Sequence, residues 1–271
     1  MTAALLVAVM ACGASAVTQP VDAPVIGADQ GSVAPAHGAR LGARDPSLEV
    51  LGAGRVTRLA PVAGGVELWA DGPEGPLRWA VDGARVTPAA ATTAGAAAAE
   101  PWAVERDAAG WRVGSVALDV RCQLAVRGAG AVGVPGGGVV LDPCGGALVR
   151  WGEGWRLKVE IGAVGEDAWL VGAGEVVGVV REGAGGLQWR GWPVAALTPV
   201  ASSALPLPGG ARVVARGIHR REAPAGFVLD VRLPEGLTVV DVAMVDGGLV
   251  VAGSLDVGGV VQVALARAAG P

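Results

Sequence analysis

The sequence predicts an all-β fold assembled from repeats. Its last stretch, 237–270 (LTVVDVAMVDGGLVVAGSLDVGGVVQVALARAAG), holds three Val-rich runs of strand length, cut by Asp246-Gly247-Gly248 and by Gly258-Gly259. β-Branched residues fit a pleated surface, and Asp-Gly and Gly-Gly supply the positive φ of tight hairpins. The expectation is a three-stranded antiparallel meander that can take a fourth strand from elsewhere in the chain. Helix signals are almost absent. The one candidate, Pro88 to Glu100, carries Gly95 and threonines and reads as an inter-repeat loop.

Weaker copies of this pattern recur upstream, and internal repeats decide the architecture. Residues 64–72 (GGVELWADG) align without a gap on 209–217 (GGARVVARG), and 167–174 (DAWLVGAG) on 246–253 (DGGLVVAG). Fainter echoes start at Ala109 and Gly137. Starts near 64, 109, 137, 166, 209 and 247 are spaced by about 45, 28, 29, 43 and 38 residues, and a four-stranded propeller blade needs about 40. The expectation is an irregular β-propeller of five or six blades over 49–271, with a β-sandwich or another all-β repeat as the alternative.

Between the starts the turn grammar is consistent. Val66 to Ala70 and Pro76 to Val81 flank Asp71-Gly72-Pro73-Glu74-Gly75 as a hairpin. Trp155 to Ile161, Ala168 to Val171 and Val176 to Arg181 read as further short strands, and Asp82-Gly83, Glu182-Gly183 and Glu235-Gly236 mark turns.

The C-terminal repeat VDGGLVVAGSLDVGGVVQVALARAAG resembles one repeat of secreted bacterial β-propeller proteins: Asp-Gly-Gly, an apolar strand ending Ala-Gly-Ser, a short turn, then a closing strand. GPLRWAVDG and GGLQWRGWP are similar to the Gly-x-Leu-x-Trp strand of quinoprotein-type propeller repeats. The resemblance covers about 25 residues at the C-terminus and implies a fold. The metal and quinone ligands of the quinoproteins are matched at no position, so no cofactor is expected.

The N-terminus reads as an export signal. Met1 to Ala16 has an apolar core followed by small residues, and Ala14-Ser15-Ala16 fits a small-x-small cleavage site. Val9-Met10-Ala11-Cys12 also approximates a lipobox ahead of a lipidated cysteine, although no Lys or Arg precedes Arg40. Residues 17–48, rich in Pro, Ala and Gly, suit a flexible tether. With Cys12 cleaved off or lipidated, Cys122 and Cys144 remain; in an oxidising compartment they are expected to pair. Closing that loop of about 23 residues would stabilise by roughly 3 kcal/mol. Two buried free thiols are the plainer alternative.

Composition excludes several function classes. The chain has 271 residues, 52% hydrophobic, yet no apolar run approaches the length of a membrane-crossing helix. A net charge of −4 argues against nucleic acid, whose binders show a basic face. The 45 Gly, with no Tyr and one Lys, track a GC-rich genome rather than a functional demand.

Chemistry-bearing motifs are few. Gly128-Ala129-Gly130-Ala131-Val132-Gly133 is a formal GxGxxG, but Val134-Pro135-Gly136-Gly137-Gly138 follows it and cannot open a phosphate-binding helix. Of two histidines, His37 lies in the tether and His219 reads as a surface loop residue, so neither a triad nor a metal site is expected. Asp167 and Asp246 look like turn residues. Arg212, Arg216, Arg220 and Arg221 form a small basic cluster, in which Arg216 and Arg220 are candidates for an anionic ligand. The nine tryptophans read mainly as packing between repeats. Trp189 and Trp192 are the pair expected to be exposed and to contact a ligand.

The functional expectation is a non-enzymatic binding or scaffold module of the bacterial cell envelope. It would be exported to the periplasm, outer membrane or cell surface. Its partner would be an envelope protein or polysaccharide, and its membrane contact would come only through a lipid at Cys12. The alternative is a carbohydrate-active hydrolase using paired carboxylates.

Overall fold

The computed structural model describes residues 38–62, 64–83, 85–89, 104–107, 110–113, 116–117, 120, 127–128, 130–152, 155–165, 167–198, 205–206, 212–213, 218–220 and 224–271. All of its regular structure there is β, apart from one 3-10 turn at Val194–Leu197. In chain order the strands are β1 (Gly38–Arg44), β2 (Ser47–Ala53), β3 (Arg55–Val62), β4 (Gly65–Gly72), β5 (Gly75–Asp82) and β6 (Arg85–Pro88). A small meander follows: β7 (Val104–Asp107), β8 (Gly110–Val113) and β9 (Val116–Ala117). Then come β10 (Ala131–Val134), β11 (Gly137–Asp142), β12 (Ala147–Gly152), β13 (Trp155–Glu160), β14 (Ala168–Ala173), β15 (Val176–Gly183) and β16 (Gly186–Pro193). The last are β17 (Leu205–Pro206), β18 (Arg212–Val213), β19 (Ile218–Arg220), β20 (Gly226–Arg232), β21 (Leu237–Val245), β22 (Gly248–Val257) and β23 (Val260–Ala268).

Four sheets of four or five strands form a ring like a four-bladed β-propeller. Their orders are β3-β4-β5-β6, β10-β11-β12-β13-β19, β14-β15-β16-β20-β1 and β21-β22-β23-β2. The expected five or six blades are thus four. The overcount has a visible cause. The Gly-Gly-apolar segments at 64 and 247 open second strands, β4 and β22, whereas the start near 166 opens a first strand, β14. The aligned segments 167–174 and 246–253 are therefore not equivalent in the fold. The start at 209 falls in the excursion between β16 and β20, whose β17 and β18 pair only with each other as a two-stranded sheet and whose β19 joins the β10–β13 sheet.

The C-terminal meander forms as expected, and its fourth strand is β2, antiparallel to β23. Asp246 and Gly247 adopt φ of 48° and 74° and turn β21 into β22; Gly258 and Gly259, at 63° and 82°, turn β22 into β23. Both pairs have the two positive φ values of the hairpin turn that matches strand twist. Within the stretch expected as tether, 38–44 is instead a paired strand, β1 parallel to β20, and β2 begins at Ser47. Backbone pairing needs no hydrophobic periodicity, so this Gly-Ala-Arg segment gave no strand signal.

Three apolar cores lie between successive sheets. Leu141, Leu148, Leu157 and Val159 of the β10–β13 sheet pack on Leu170, Val177, Val179 and Trp192. Trp169, Val171, Trp189 and Leu229 pack on Val242, Met244, Leu249 and Val251. Ala243, Val245, Val250 and Leu265 pack on Val56, Leu59, Leu68 and Trp79. In β14 and β21, alternate residues enter opposite cores, as the two-residue period of a strand requires. A sheet buried on both faces reads as a continuous apolar run. That is why AMV and LVVA look unpatterned in sequence.

Candidate functional site

The structure corrects the exposed-tryptophan expectation. Trp189 is 0% exposed and Trp192 3%. Trp189 meets Phe227 edge-on, ring centres 5.0 Å apart, in the core shared with β21–β23. Trp192 lies in the core on the other face of the same sheet. Neither presents a ring to a ligand; both do the packing expected of the tryptophans as a group.

The basic cluster is only partly described. Arg220 and His219 lie on β19, whose backbone runs parallel to the edge of β13 with Lys158 opposite His219 and Val159 opposite Arg220. Arg212 is on β18. Arg216 and Arg221 lie outside the described residues, as do Cys12, Cys122 and His37. Cys144 sits exposed in the turn between β11 and β12. Asp246 is the turn residue it was expected to be, and Asp167 directly precedes β14.

The charged groups with the most unusual surroundings lie where sheets meet. The first strands β10, β14, β21 and β3 are neighbours in that order. Asp241, on β21, is 8% exposed. Its Oδ2 accepts the Leu59 backbone N–H of β3 at 2.8 Å, and its Oδ1 accepts the Val242 N–H at 2.9 Å. Both strands are bulged beside this contact, between Val239 and Asp241 and between Val56 and Arg58. A bulge re-aims a side chain, and here it brings a carboxylate onto the neighbouring sheet's backbone. Burial pushes the Asp241 carboxyl above the ordinary aspartate range, and the two N–H bonds oppose that shift.

Gly128 closes over this carboxylate. A Cβ on it would lie 3.3 Å from Asp241 Oδ1 and 3.4 Å from Trp169 Cδ1. The preceding residue, Arg127, pairs with Trp169 as a parallel bridge. Its guanidinium lies 4.7 Å from the Trp169 ring centre and reaches Glu182 at 2.7 Å and Asp167 at 3.4 Å. The GxGxxG run thus has a use: its first glycine allows close approach to a buried acid, and its end becomes β10 rather than a phosphate-binding helix.

Two further arginines act at the next junction. Arg150, 4% exposed, donates to the Val194 carbonyl at 2.6 Å, to the Pro135 carbonyl at 3.1 Å and to Thr198 Oγ1. Burial pushes its pKa down, with Glu175 opposing. Arg190 donates to the Ile161 carbonyl at 2.9 Å, and burial, together with Arg181, lowers its pKa as well. Each arginine joins the β10–β13 sheet and its flanks to the β14–β16 sheet.

Chemically this arrangement fixes sheets to one another. Asp241 and Arg150 direct their hydrogen bonds largely to backbone groups. Among the described residues no group of three or more His, Cys, Asp and Glu side chains has a metal-holding geometry. Asp241 was legible only as one of many carboxylates; a lone Asp in an otherwise apolar strand, VVDVAMV, was the available signal. No family model, curated protein or solved structure matches the chain. What the fold defines is a class, an all-β propeller-like protein.

Proposed function

We propose that this chain is a non-enzymatic binding or scaffold module of a bacterial cell envelope, exported and held there through a lipid at Cys12. The observation that supports this reading is how three buried or half-buried charges at the sheet junctions are used. Asp241, Arg150 and Arg190 each bond the backbone of a neighbouring sheet or its flanking turn. A ring clamped in this way is a stiff frame, and recognition on such frames belongs to loops and edges. In the oxidising envelope Cys122 and Cys144 pair as a disulfide, and the partner is an envelope protein or polysaccharide.

The second reading, a carbohydrate-active hydrolase, draws on one observation. Asp241 has the raised pKa of a general acid, and Asp167 and Glu182 converge on Arg127 near it. One experiment separates the two. The purified full-length chain is incubated with insoluble envelope polysaccharide, and both co-sedimentation and new reducing ends are measured. Co-sedimentation without new reducing ends is expected. Reducing ends that disappear in Asp241→Asn would establish the hydrolase. Intact mass from the envelope fraction, starting at Cys12 with a diacylglycerol, checks the anchor.

A further inference from the structure

We infer that β1 is an exchangeable strand, and that two copies of this chain swap it, each placing its residues 38–44 on the β20 edge of the other. The case begins with what β1 lacks. It is held to β20 by parallel backbone pairing, with Ala39 opposite Phe227, Arg40 opposite Val228 and Arg44 opposite Val231, and the register slips between Arg40 and Ala43. Residues 39–44 are all exposed, and none belongs to an apolar core. Among the described residues the one ion pair beside it, Asp45 to Arg232 at 3.6 Å, joins side chains 78% and 67% exposed, and such pairs contribute little. A strand held by main-chain bonds alone detaches at low cost and leaves an unpaired edge on β20, which is a template for another strand.

The occupant follows from the edge itself. The strand known to fit it is this chain's own 38–44, and a second copy offers the identical sequence in the identical register. Exchange then changes only the hinge. That hinge is Asp45-Pro46, two residues between β1 and β2, with proline holding its predecessor extended. A connection so short forces the two molecules close together at this point. The apolar surface lies there as well. Of the six large hydrophobic side chains exposed among the described residues, three, Leu41, Leu48 and Val50, flank this hinge, at 37%, 39% and 48% exposure. Leu48 and Val50 lie on one face of β2, opposite Ala266 and Ala264, where a partner's hinge region would cover them.

The test mixes two full-length variants, Arg40→Cys and Val228→Cys, at high concentration before mild oxidation. The expected result is a dimer fraction that rises with concentration in sedimentation. The mixture should also give a disulfide-linked mixed dimer that neither variant gives alone; each single variant carries the native cysteines and so controls for them. A monomer at every concentration would overturn the proposal. So would a dimer without the mixed cross-link, since it would associate through another surface. A monomer whose β1 amides nonetheless exchange rapidly with solvent would point to capture of a different partner's strand and equally overturn it.

Discussion

The indole of Trp151 lies across Gly138, its direct partner in the β11–β12 pair, so that a Cβ on the glycine would overlap the ring. Gly152 beneath Trp155 and Gly191 beneath Phe227 repeat the relationship, again as directly paired residues. A glycine weakens a strand, but a large ring on the partner strand covers the bare backbone and regains packing. The abundance of Gly and Trp in this chain therefore has a structural use beyond codon bias. Gly138→Ala should destabilise the fold by about 1–3 kcal/mol, because the buried Trp151 ring would have to shift to admit the methyl. Urea unfolding of the variant measures this, and an unchanged midpoint would show that the ring yields.

Arg150 tests the junction between the β10–β13 and β14–β16 sheets. Arg150→Met keeps much of the side-chain volume but strips donors from the Val194 and Pro135 carbonyls and from Thr198. Losing the bond from a charged donor to the buried Val194 carbonyl, which keeps only the Thr198 hydroxyl at 3.2 Å, costs about 1–3 kcal/mol. Arg150→Lys should recover only part of that loss, since an ammonium cannot reach three acceptors in the fork that a guanidinium spans. Thermal unfolding of both variants reads the order wild type, Lys, Met.

Asp241 gives the fold a pH signature whose sign is fixed by burial. The folded protein holds this proton more tightly than the unfolded chain does, because the folded value is raised from 3.8. The stability linked to Asp241 is therefore full below about 3.8 and falls as pH rises through the raised folded value, then stays level. Asp241→Asn has no such slope. Wild-type stability relative to the variant should decline with rising pH across that window, measured by urea unfolding at several pH values. The opposite slope would mean that the Leu59 and Val242 N–H groups outweigh burial and hold the acid ionised.

How much of this was legible depends on what each element needs. The β21–β23 meander was readable because its turns need particular residues, Asp246-Gly247 and Gly258-Gly259, and those residues are present. The strands 155–160, 168–173 and 176–183 were readable from their apolar runs. β1 was not, because parallel pairing to β20 uses the backbone and leaves the side chains in solvent. The burial of Trp189 and Trp192 was missed for a different reason. Gln188-Trp189-Arg190-Gly191-Trp192 looks half polar, but Gln188 and Arg190 hydrogen-bond Asp230 and the Ile161 carbonyl, so a polar neighbour did not signal an exposed ring. Trp189→Ala should accordingly behave as a core truncation, losing about 3–5 kcal/mol, in a thermal melt that needs no ligand to reveal it.

Ring closure rests on β2, and this can be separated from the exchange of β1. β2 pairs with β23 over its length, and Glu49 reaches Arg267 at 2.6 Å. Leu51 packs against the core formed by the last sheet and the β3–β6 sheet. β23 is buried through Val263, Ala264, Leu265 and Ala266, so loss of β2 uncovers backbone whose neighbours are already in the core. Leu51→Asp places a charge against that core, and an unpaired buried charge is strongly unfavourable. Arg40→Asp, on the fully exposed β1, should leave stability within about 0.5 kcal/mol of wild type. Hydrogen exchange is the deciding measurement. In Leu51→Asp the β22 and β23 amides should lose protection together, because they share one sheet with β2, while the β11–β13 amides on the other side of the ring keep theirs. Uniform loss across all four sheets would instead show that the ring unfolds as a single cooperative unit.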